Sequence, residues 1–269
     1  MILVNTLSIF TTMTNPEERN DPWKESLNCY NSTADEVVVV GEDWPKEFDW
    51  GIFNKIYQSG MDKCNTDWVM RMDLDYFIHE NDIPLIRESM KRFKDFPAIV
   101  FPQYQFFTYD KYQIKTKLCL LLNKRKFPEI KLNGGTDKML ATLNGELLTY
   151  KNVPQVKVPI WQYDSMFRTK EIIGLDRARF ARAWKRSFQN YGDRGGDDPK
   201  LAFEAWYRMI QDRYRKHLFK SKLKNHPIYI QDKLKKLNED QFGFSAFGLK
   251  DKVKLNYLEF PRELKKKYF

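Results

Sequence analysis

The chain has 269 residues, 42% hydrophobic and 15% aromatic, with a formal net charge of +10. That length suits one α/β core with an elaborated C-terminal part, and no apolar run approaches the ~18 residues of a membrane span. Three scattered cysteines, Cys29, Cys64 and Cys119, lack C-x-x-C spacing and read as buried thiols in a reducing cytosol, which argues against zinc or a disulfide.

Ile2-Leu3-Val4 follows the first residue with no basic region or cleavage site, so no signal peptide and a cytoplasmic location are expected. The charge is uneven: residues 207–269 hold 17 Lys/Arg against 7 Asp/Glu, which accounts for the whole excess. Stretches such as Arg213-Tyr-Arg-Lys-His217 and Lys220-Ser-Lys-Leu-Lys224, interleaved with aromatics, suit a phosphate backbone or an anionic membrane, or else solvated helix faces.

In chain order, Leu3 to Phe10 is a β-rich run. Asp21-Pro22 reads as an N-cap acid with Pro at the first helical position, opening a helix with Trp23, Leu27 and Tyr30 on one face. Val37 to Val40 is an uninterrupted β-branched run before Gly41, as expected of a central parallel strand covered on both sides. Phe53, Ile56 and Tyr57 mark a second helix ending near Gly60. Trp68 to Met72 is the next strand. Asn81-Asp82 caps a third helix carrying Ile83, Ile86, Met90 and Phe93, and Ala98 to Phe101 is another strand. Repeated strand-helix-strand order predicts a parallel sheet with right-handed crossovers.

After Pro102 the regularity fades: residues 103–160 hold aromatics, short strand candidates and a Gly134-Gly135 turn. Lys170 to Phe188 reads as a basic helix. Pro199 to His217 reads as another, with Phe203, Trp206 and Ile210 on one face, after a loop around Gly195-Gly196. From Leu234 on, helical fragments lead into a Lys-rich tail. The expected division is a core over 1–165 and a helical basic region over 166–269 packed on it.

Asp73 and Asp75 stand at the end of the third strand. Side chains at i and i+2 of a strand share a face, and open α/β sheets place ligands beyond the carboxyl ends of their strands. Two hard oxygen ligands there suit Mg²⁺ or Mn²⁺ carrying a diphosphate; the alternative is a solvated turn. Arg71 shares that face, adding charge near a phosphate or pairing with Asp73.

The stretch Asp62-Lys-Cys-Asn-Thr-Asp-Trp-Val-Met-Arg-Met-Asp-Leu-Asp-Tyr-Phe-Ile-His-Glu-Asn-Asp-Ile-Pro-Leu-Ile86 resembles the GT-A glycosyltransferases of the family-2 kind. In these, a D-W, a strand and a D-x-D-like motif precede "I-H-E-D-D-L-P". Asp35 to Asp43 is similar to their second strand and the acids after it. Ile160 to Arg168 is similar to their "H-Y-x-x-x-R" segment, with Gln162 where relatives often have a His able to ligate metal, and His226-Pro227 is similar to a late "H-P". The likeness spans roughly residues 1–175, with a weaker echo to 230.

The resemblance implies a GT-A (Rossmann-like), mostly parallel sheet flanked by helices, with a helical basic C-terminal extension. It also implies transfer of a hexose or pentose from a nucleotide-diphosphate sugar, UDP-linked by expectation. Metal ligands would be Asp73, Asp75 and, more weakly, Gln162. Thr11 and Thr12 after the first strand, Glu42 and Asp43 after the second, and Lys55, Arg71 and Asp73 would hold the donor. Asp137 falls where the family has an Asp in a glycine-containing loop; as general base, Asp164 and the Asp197-Asp198 pair rival it. His79 reads as packing.

For the acceptor, the basic C-terminal quarter suits a polyanion, one candidate being hydroxymethylated pyrimidines in DNA, which some virus-encoded enzymes resembling this family modify after flipping the base. A cell-envelope glycan or lipid-linked sugar at an anionic membrane is the alternative. A non-catalytic nucleic-acid-binding protein on the same sheet stays open. A nucleotidyltransferase would carry a Gly-rich phosphate loop with Lys near the N-terminus, which is not found.

Overall fold

A computed structural model of the chain describes residues 5–42, 44–135 and 138–237. The first half alternates strand and helix: β1 (Leu7–Thr12), α1 (Trp23–Thr33), β2 (Glu36–Val40), α2 (Trp50–Lys63), β3 (Trp68–Arg71), β4 (Tyr76–Phe77) and α3 (Ile83–Arg92). A long hairpin of β5 (Ala98–Thr108) and β6 (Lys111–Leu122) follows. Then come a small sheet of β7 (Lys131–Gly134), β8 (Leu140–Leu143) and β9 (Glu146–Leu147), and the short β10 (Ile160–Gln162). The last part holds α4 (Lys170–Phe188), α5 (Pro199–Tyr214), β11 (Phe219–Lys220) and α6 (Ile228–Lys235).

The main sheet runs β2-β1-β3-β6-β5-β10-β4, with β11 on β6. The pairings make β2, β1, β3, β5 and β10 co-directional, while β6 and β4 oppose them. The result is an α/β fold with a mostly parallel sheet flanked by helices. Period-2 alternation divides the core between two faces. Leu7, Ile9, Trp68, Met70, Ile99 and Phe101 pack with Tyr30 of α1, Ile86 and Met90 of α3 and Ile230 of α6. Phe10, Val69, Ala98 and Val100 pack with Tyr57 and Met61 of α2 and with Leu132 and Ala141 of the small sheet. A third cluster joins Phe107 to Ile173 of α4 and Phe203, Trp206 and Ile210 of α5.

Three expectations change. The valine strand β2 is the sheet edge, with Val37 and Val38 half-buried on opposite faces and Val39 exposed, and among the described residues nothing pairs its outer side. The strand expected to stop at Phe101 runs on through Pro102 to Thr108, because the register of the β5–β6 ladder shifts between Phe101 and Gln103. A bulge is where a strand tolerates a residue without N–H. Asp21 does not cap α1, which has no side-chain cap at Pro22; its carboxylate bridges Arg19 and Arg168 instead.

The helix α4 spans Lys170–Phe188 and the loop before α5 turns at Gly195 and Gly196, with φ of 78° and 107°, as expected, whereas α5 ends at Tyr214 rather than His217 and Asp82 makes no side-chain cap on α3. Among the described residues, no helix is long and apolar enough to cross a membrane. Most of the stretch from Leu234 onward lies outside the described residues.

Candidate functional site

β1 pairs with β2 on one side and β3 on the other, so the chain leaving β1 turns towards β2 while the chain leaving β3 turns the opposite way, towards β4 at the far edge. Such a switch point opens a crevice between the diverging loops. A cleft of about 520 Å³ lies there, lined by Thr12, Trp44, Tyr57, Asp73, Asp75, Arg19 and Arg168 among others.

β3 ends at Arg71, so Asp73 and Asp75 do not project from one strand face as expected. They stand on a turn closed by the Tyr76 N–H, which donates to the Asp73 carbonyl at 2.8 Å, and that turn carries both into the cleft. Its backbone is fixed by three hydrogen bonds, two from α1 and one from the segment after β10. The Tyr30 hydroxyl of α1 donates to the Asp73 carbonyl at 2.6 Å, the Ser26 hydroxyl donates to that of Leu74, and the Tyr163 N–H donates to that of Asp75 at 3.0 Å. With the main chain satisfied in this way, the carboxylates are left for the cleft.

The two carboxylates differ electrostatically. Asp73 meets the Arg71 guanidinium at 3.3 Å and accepts from the Tyr57 hydroxyl at 3.3 Å. Arg71 also donates to the Met139 carbonyl and lies over the Tyr57 ring, so it acts as a fixed partner of Asp73. Asp75 has no such cation. Among the described residues its carboxylate accepts one side-chain hydrogen bond, from Gln162 Nε2 at 3.3 Å. Burial, then the negative charges of Asp73 and Asp164, push its pKa up to about 8. Arg168 opposes that rise, but it is shared between Asp21, at 2.6 Å, and Asp176, at 3.0 Å.

The donor set can be tested against a divalent cation. Gln162 Oε1 is buried and receives no hydrogen bond among the described residues, leaving an unused oxygen beside an under-neutralised carboxylate. An all-oxygen set of this kind fits Mg²⁺ or Mn²⁺. No group of three or more His, Cys, Asp or Glu suited to a metal occurs among the described residues. An ion here would therefore rest on the Asp pair, the amide and oxygens brought by a ligand, as Mg²⁺ commonly does with phosphates.

Of the other expected residues, Thr12 lines the cleft, while Thr11 is buried with its hydroxyl unpartnered among the described residues. Glu42 and Lys55 are exposed and do not line it. Asp43 and Asp137 lie outside the described residues. Asp164 sits past the end of β10 with φ of 38°, accepting from Gln105 Nε2 at 2.9 Å and from the Ser165 hydroxyl at 3.1 Å. Arg177 and Lys115, outweighing burial, hold its pKa below the usual value. Asp198 caps α5, accepting from the Leu201 N–H, and Asp197 is exposed. His79 accepts from the Asn81 N–H at the turn before α3, and His226 is buried between Tyr163 and the Tyr109 carbonyl.

Sequence reasoning missed Trp44, Tyr57, Arg19 and Arg168 as cleft residues. Only Arg168 carried a signal, as the last residue of the block Ile160 to Arg168.

No protein-family profile matches the chain, and a search of curated proteins finds no match. Similar solved structures include S. aureus TarS 1–349, at 12% identity and TM-score 0.39, covering 79% of this chain and 81% of that one. S. aureus TarS is 10% identical at TM-score 0.37, over 79% and 43% respectively. TarS 1–349 in complex with UDP is 11% identical at TM-score 0.38, over 85% and 77%.

Proposed function

We propose that the chain is a nucleotide-sugar-dependent glycosyltransferase whose donor, a UDP-sugar by expectation, lies in the cleft beyond β1 and β3. The observation that carries this is the under-neutralised Asp75 beside Asp73 at a switch-point cleft. A divalent cation and a diphosphate supply what that arrangement lacks. The family-2 GT-A resemblance of residues 62–86 supports the same reading.

Asp73, Asp75 and Gln162 would hold Mn²⁺ or Mg²⁺, which when bound offsets charge developing on the leaving diphosphate. Arg168 and Arg19 line the cleft as fixed cations for that group, and Trp44 offers a face for the base. In the transfer, an acceptor oxygen bonds to the anomeric carbon and that carbon's bond to the diphosphate oxygen breaks. The electron pair leaves with the nucleotide, and the acceptor proton passes to a carboxylate. Asp164, ionised and coupled to Asp75, is proposed for that role, with Asp137 as its rival.

Arg215, Lys216, Lys220, Lys222 and Lys224 are exposed and make no ion pair among the described residues. This favours a polyanionic acceptor, with hydroxymethylated DNA the candidate and a glycan at an anionic membrane the competing outcome. The test is a thermal-shift screen of nucleoside diphosphates with and without Mn²⁺. A shift requiring both, lost in Asp75→Asn, is expected; an undiminished joint shift in the variant would remove Asp75 from the site.

A further inference from the structure

Between β2 and α2 the chain passes the carboxyl end of the sheet, and residues 44–49 bring Trp44, Pro45 and Phe48 to the wall of the cleft. The Trp44 N–H donates to the Gly41 carbonyl at 3.2 Å. The rings of Trp44 and Phe48 pack 4.4 and 5.1 Å from that of Phe53 on α2. No strand ladder holds this loop, so its outer side depends on what α4 offers it.

Arg179, Arg182 and Arg186 fall at i, i+3 and i+7 of α4, on one face of the helix. Arg182 donates from Nε and Nη2 to the two carboxylate oxygens of Glu47, at 2.9 and 2.6 Å. That is the paired-fork geometry which makes an arginine–carboxylate contact directional. Arg186 donates to the Phe48 carbonyl and stands 3.7 Å from Glu47. Arg179 donates to the Pro45 carbonyl at 3.1 Å and lies over the Phe48 ring at 4.3 Å. It also meets Asp176 at 3.5 Å, the acid that Arg19 and Arg168 share. One helix face therefore holds both the charged wall of the cleft and the loop that carries Trp44. A lone exposed ion pair stabilises little, but here one carboxylate answers two guanidiniums. The loop's other acid, Asp49, is used elsewhere, capping α2 at the Ile52 N–H.

We infer that Glu47, Arg182 and Arg186 are positioning residues, a charged clamp that seats the Trp44 loop against the cleft and so sets the affinity for the base of a nucleotide. The base rests on the transferase reading; the clamp does not. None of the three lines the cleft, so each acts through the loop. When the clamp opens, the fraction of molecules with Trp44 in place falls, and apparent affinity for the base falls with it. The turn carrying Asp73 and Asp75 is held by α1 and by the segment after β10. Recognition of a diphosphate there is independent of the clamp.

The experiment compares wild type, Glu47→Arg, Arg182→Glu and the double variant that exchanges the two charges. Each is titrated with UDP and with pyrophosphate, both with Mn²⁺, and chymotryptic cleavage after Phe48 is followed well below Tm. Glu47→Arg sets guanidiniums together without their carboxylate, so UDP affinity should fall about tenfold, the size of a lost charge-assisted contact. Arg182→Glu should weaken it in the same direction. The exchange restores one pair in the opposite sense and should recover most of the loss. Pyrophosphate should bind all four proteins alike, and cleavage should quicken in the single variants and slow again in the exchange. Equal UDP affinity in all four, an exchange no better than the single variants, or UDP and pyrophosphate falling together would overturn the inference. Should Glu47→Arg fail to fold, Glu47→Gln and Arg182→Glu decide by the same split between the two ligands. Clamp-dependent cleavage without any UDP response in wild type keeps the clamp and refutes the donor site, whereas identical cleavage in all four overturns the clamp.

Discussion

Gln162 donates its amide nitrogen to Asp75 Oδ2 at 3.3 Å and leaves its own Oε1 buried with no donor. The pair therefore presents an amide oxygen without a donor among the described residues, beside a carboxylate whose charge Arg168 offsets only in part. Replacing the amide by a carboxylate tests what they await. Gln162→Glu is expected to tighten Mn²⁺ by about tenfold through an added formal charge, while lowering metal-free Tm because another acid joins a buried group. Manganese titrations followed by Tm would show both changes. Equal Mn²⁺ affinity in variant and wild type would place the cation elsewhere.

Stability should carry the titration of Asp75. Its carboxyl is held up to about 8 in the fold, against 3.8 for an unperturbed aspartate. Between those values the folded chain keeps a proton that the unfolded chain has lost. Metal-free stability therefore falls as pH rises from about 4 to about 8 and levels off above that. The buried His217 and His226, both pushed down to about 4 from 6.5, act in the opposite sense across their own window. The difference between wild type and Asp75→Asn isolates the aspartate, and it should widen towards about pH 8 with the variant melting higher. Because a bound cation needs the proton gone, the gain in Tm from Mn²⁺ plus UDP should grow over the same range. A flat difference would mean that Asp75 titrates normally.

Arg168 ties the cleft wall together. It donates to Asp21 at 2.6 Å and to Asp176 at 3.0 Å, while Arg19 bridges the same two acids at 3.0 and 3.2 Å. Truncating one member of such a buried network strands its partners, which typically costs about 3–5 kcal/mol. Arg168→Met should lower Tm accordingly, and adding Asp21→Asn should recover part of the loss. Arg168→Lys should fold yet bind UDP more weakly, since an ammonium loses the fork geometry. UDP affinity unchanged in a folded Arg168→Lys would remove this residue from the diphosphate role.

Trp44 separates base recognition from phosphate recognition. Its ring packs 4.4 Å from Phe53 and 6.2 Å from Tyr57, with part of it in the cleft. Stacking a base on an aromatic side chain contributes about 1–3 kcal/mol, so Trp44→Ala should weaken UDP by roughly tenfold or more. Pyrophosphate, which has no base, should bind the variant and the wild type alike in competition calorimetry. Equal losses for both ligands would show that the substitution disturbs the cleft as a whole.

The sequence made the sheet legible where side chains alternate between two packed faces, as in β1, β3 and the start of β5. It misplaced β2 because four valines report that both faces are covered, and say nothing about whether the strand's outer edge is paired. It ended β5 too early because a proline removes one ladder donor, and the bulge that absorbs the loss depends on the partner strand. Asp73 and Asp75 were legible from spacing and from the block around them, though a turn rather than a pleat brings them into the cleft. Arg19, Trp44 and Tyr57 were not, since they reach the cleft through folding of separate loops and a helix face, and each has an ordinary local context.

The seat of α2 on the sheet gives a last test, linking packing to the cleft. A Cβ added at Gly60 would lie 2.5 Å from Cδ2 of Phe10 and 3.1 Å from Cγ2 of Val40. Phe10 is fully buried and packs with Tyr57 and Met61 of α2, so its ring sits inside a closed contact. Alanine favours a helix over glycine by about 1 kcal/mol, but overpacking a closed contact costs about 1–3 kcal/mol. Gly60→Ala should therefore melt below wild type, with α2 displaced from β1. Tyr57, one turn earlier on α2, gives its hydroxyl to Asp73 at 3.3 Å, so the same displacement should weaken UDP binding along with Tm. A variant that melts at or above wild type with full UDP affinity would mean that α2 does not rest on Phe10, and the Tyr57–Asp73 contact would lose its structural basis.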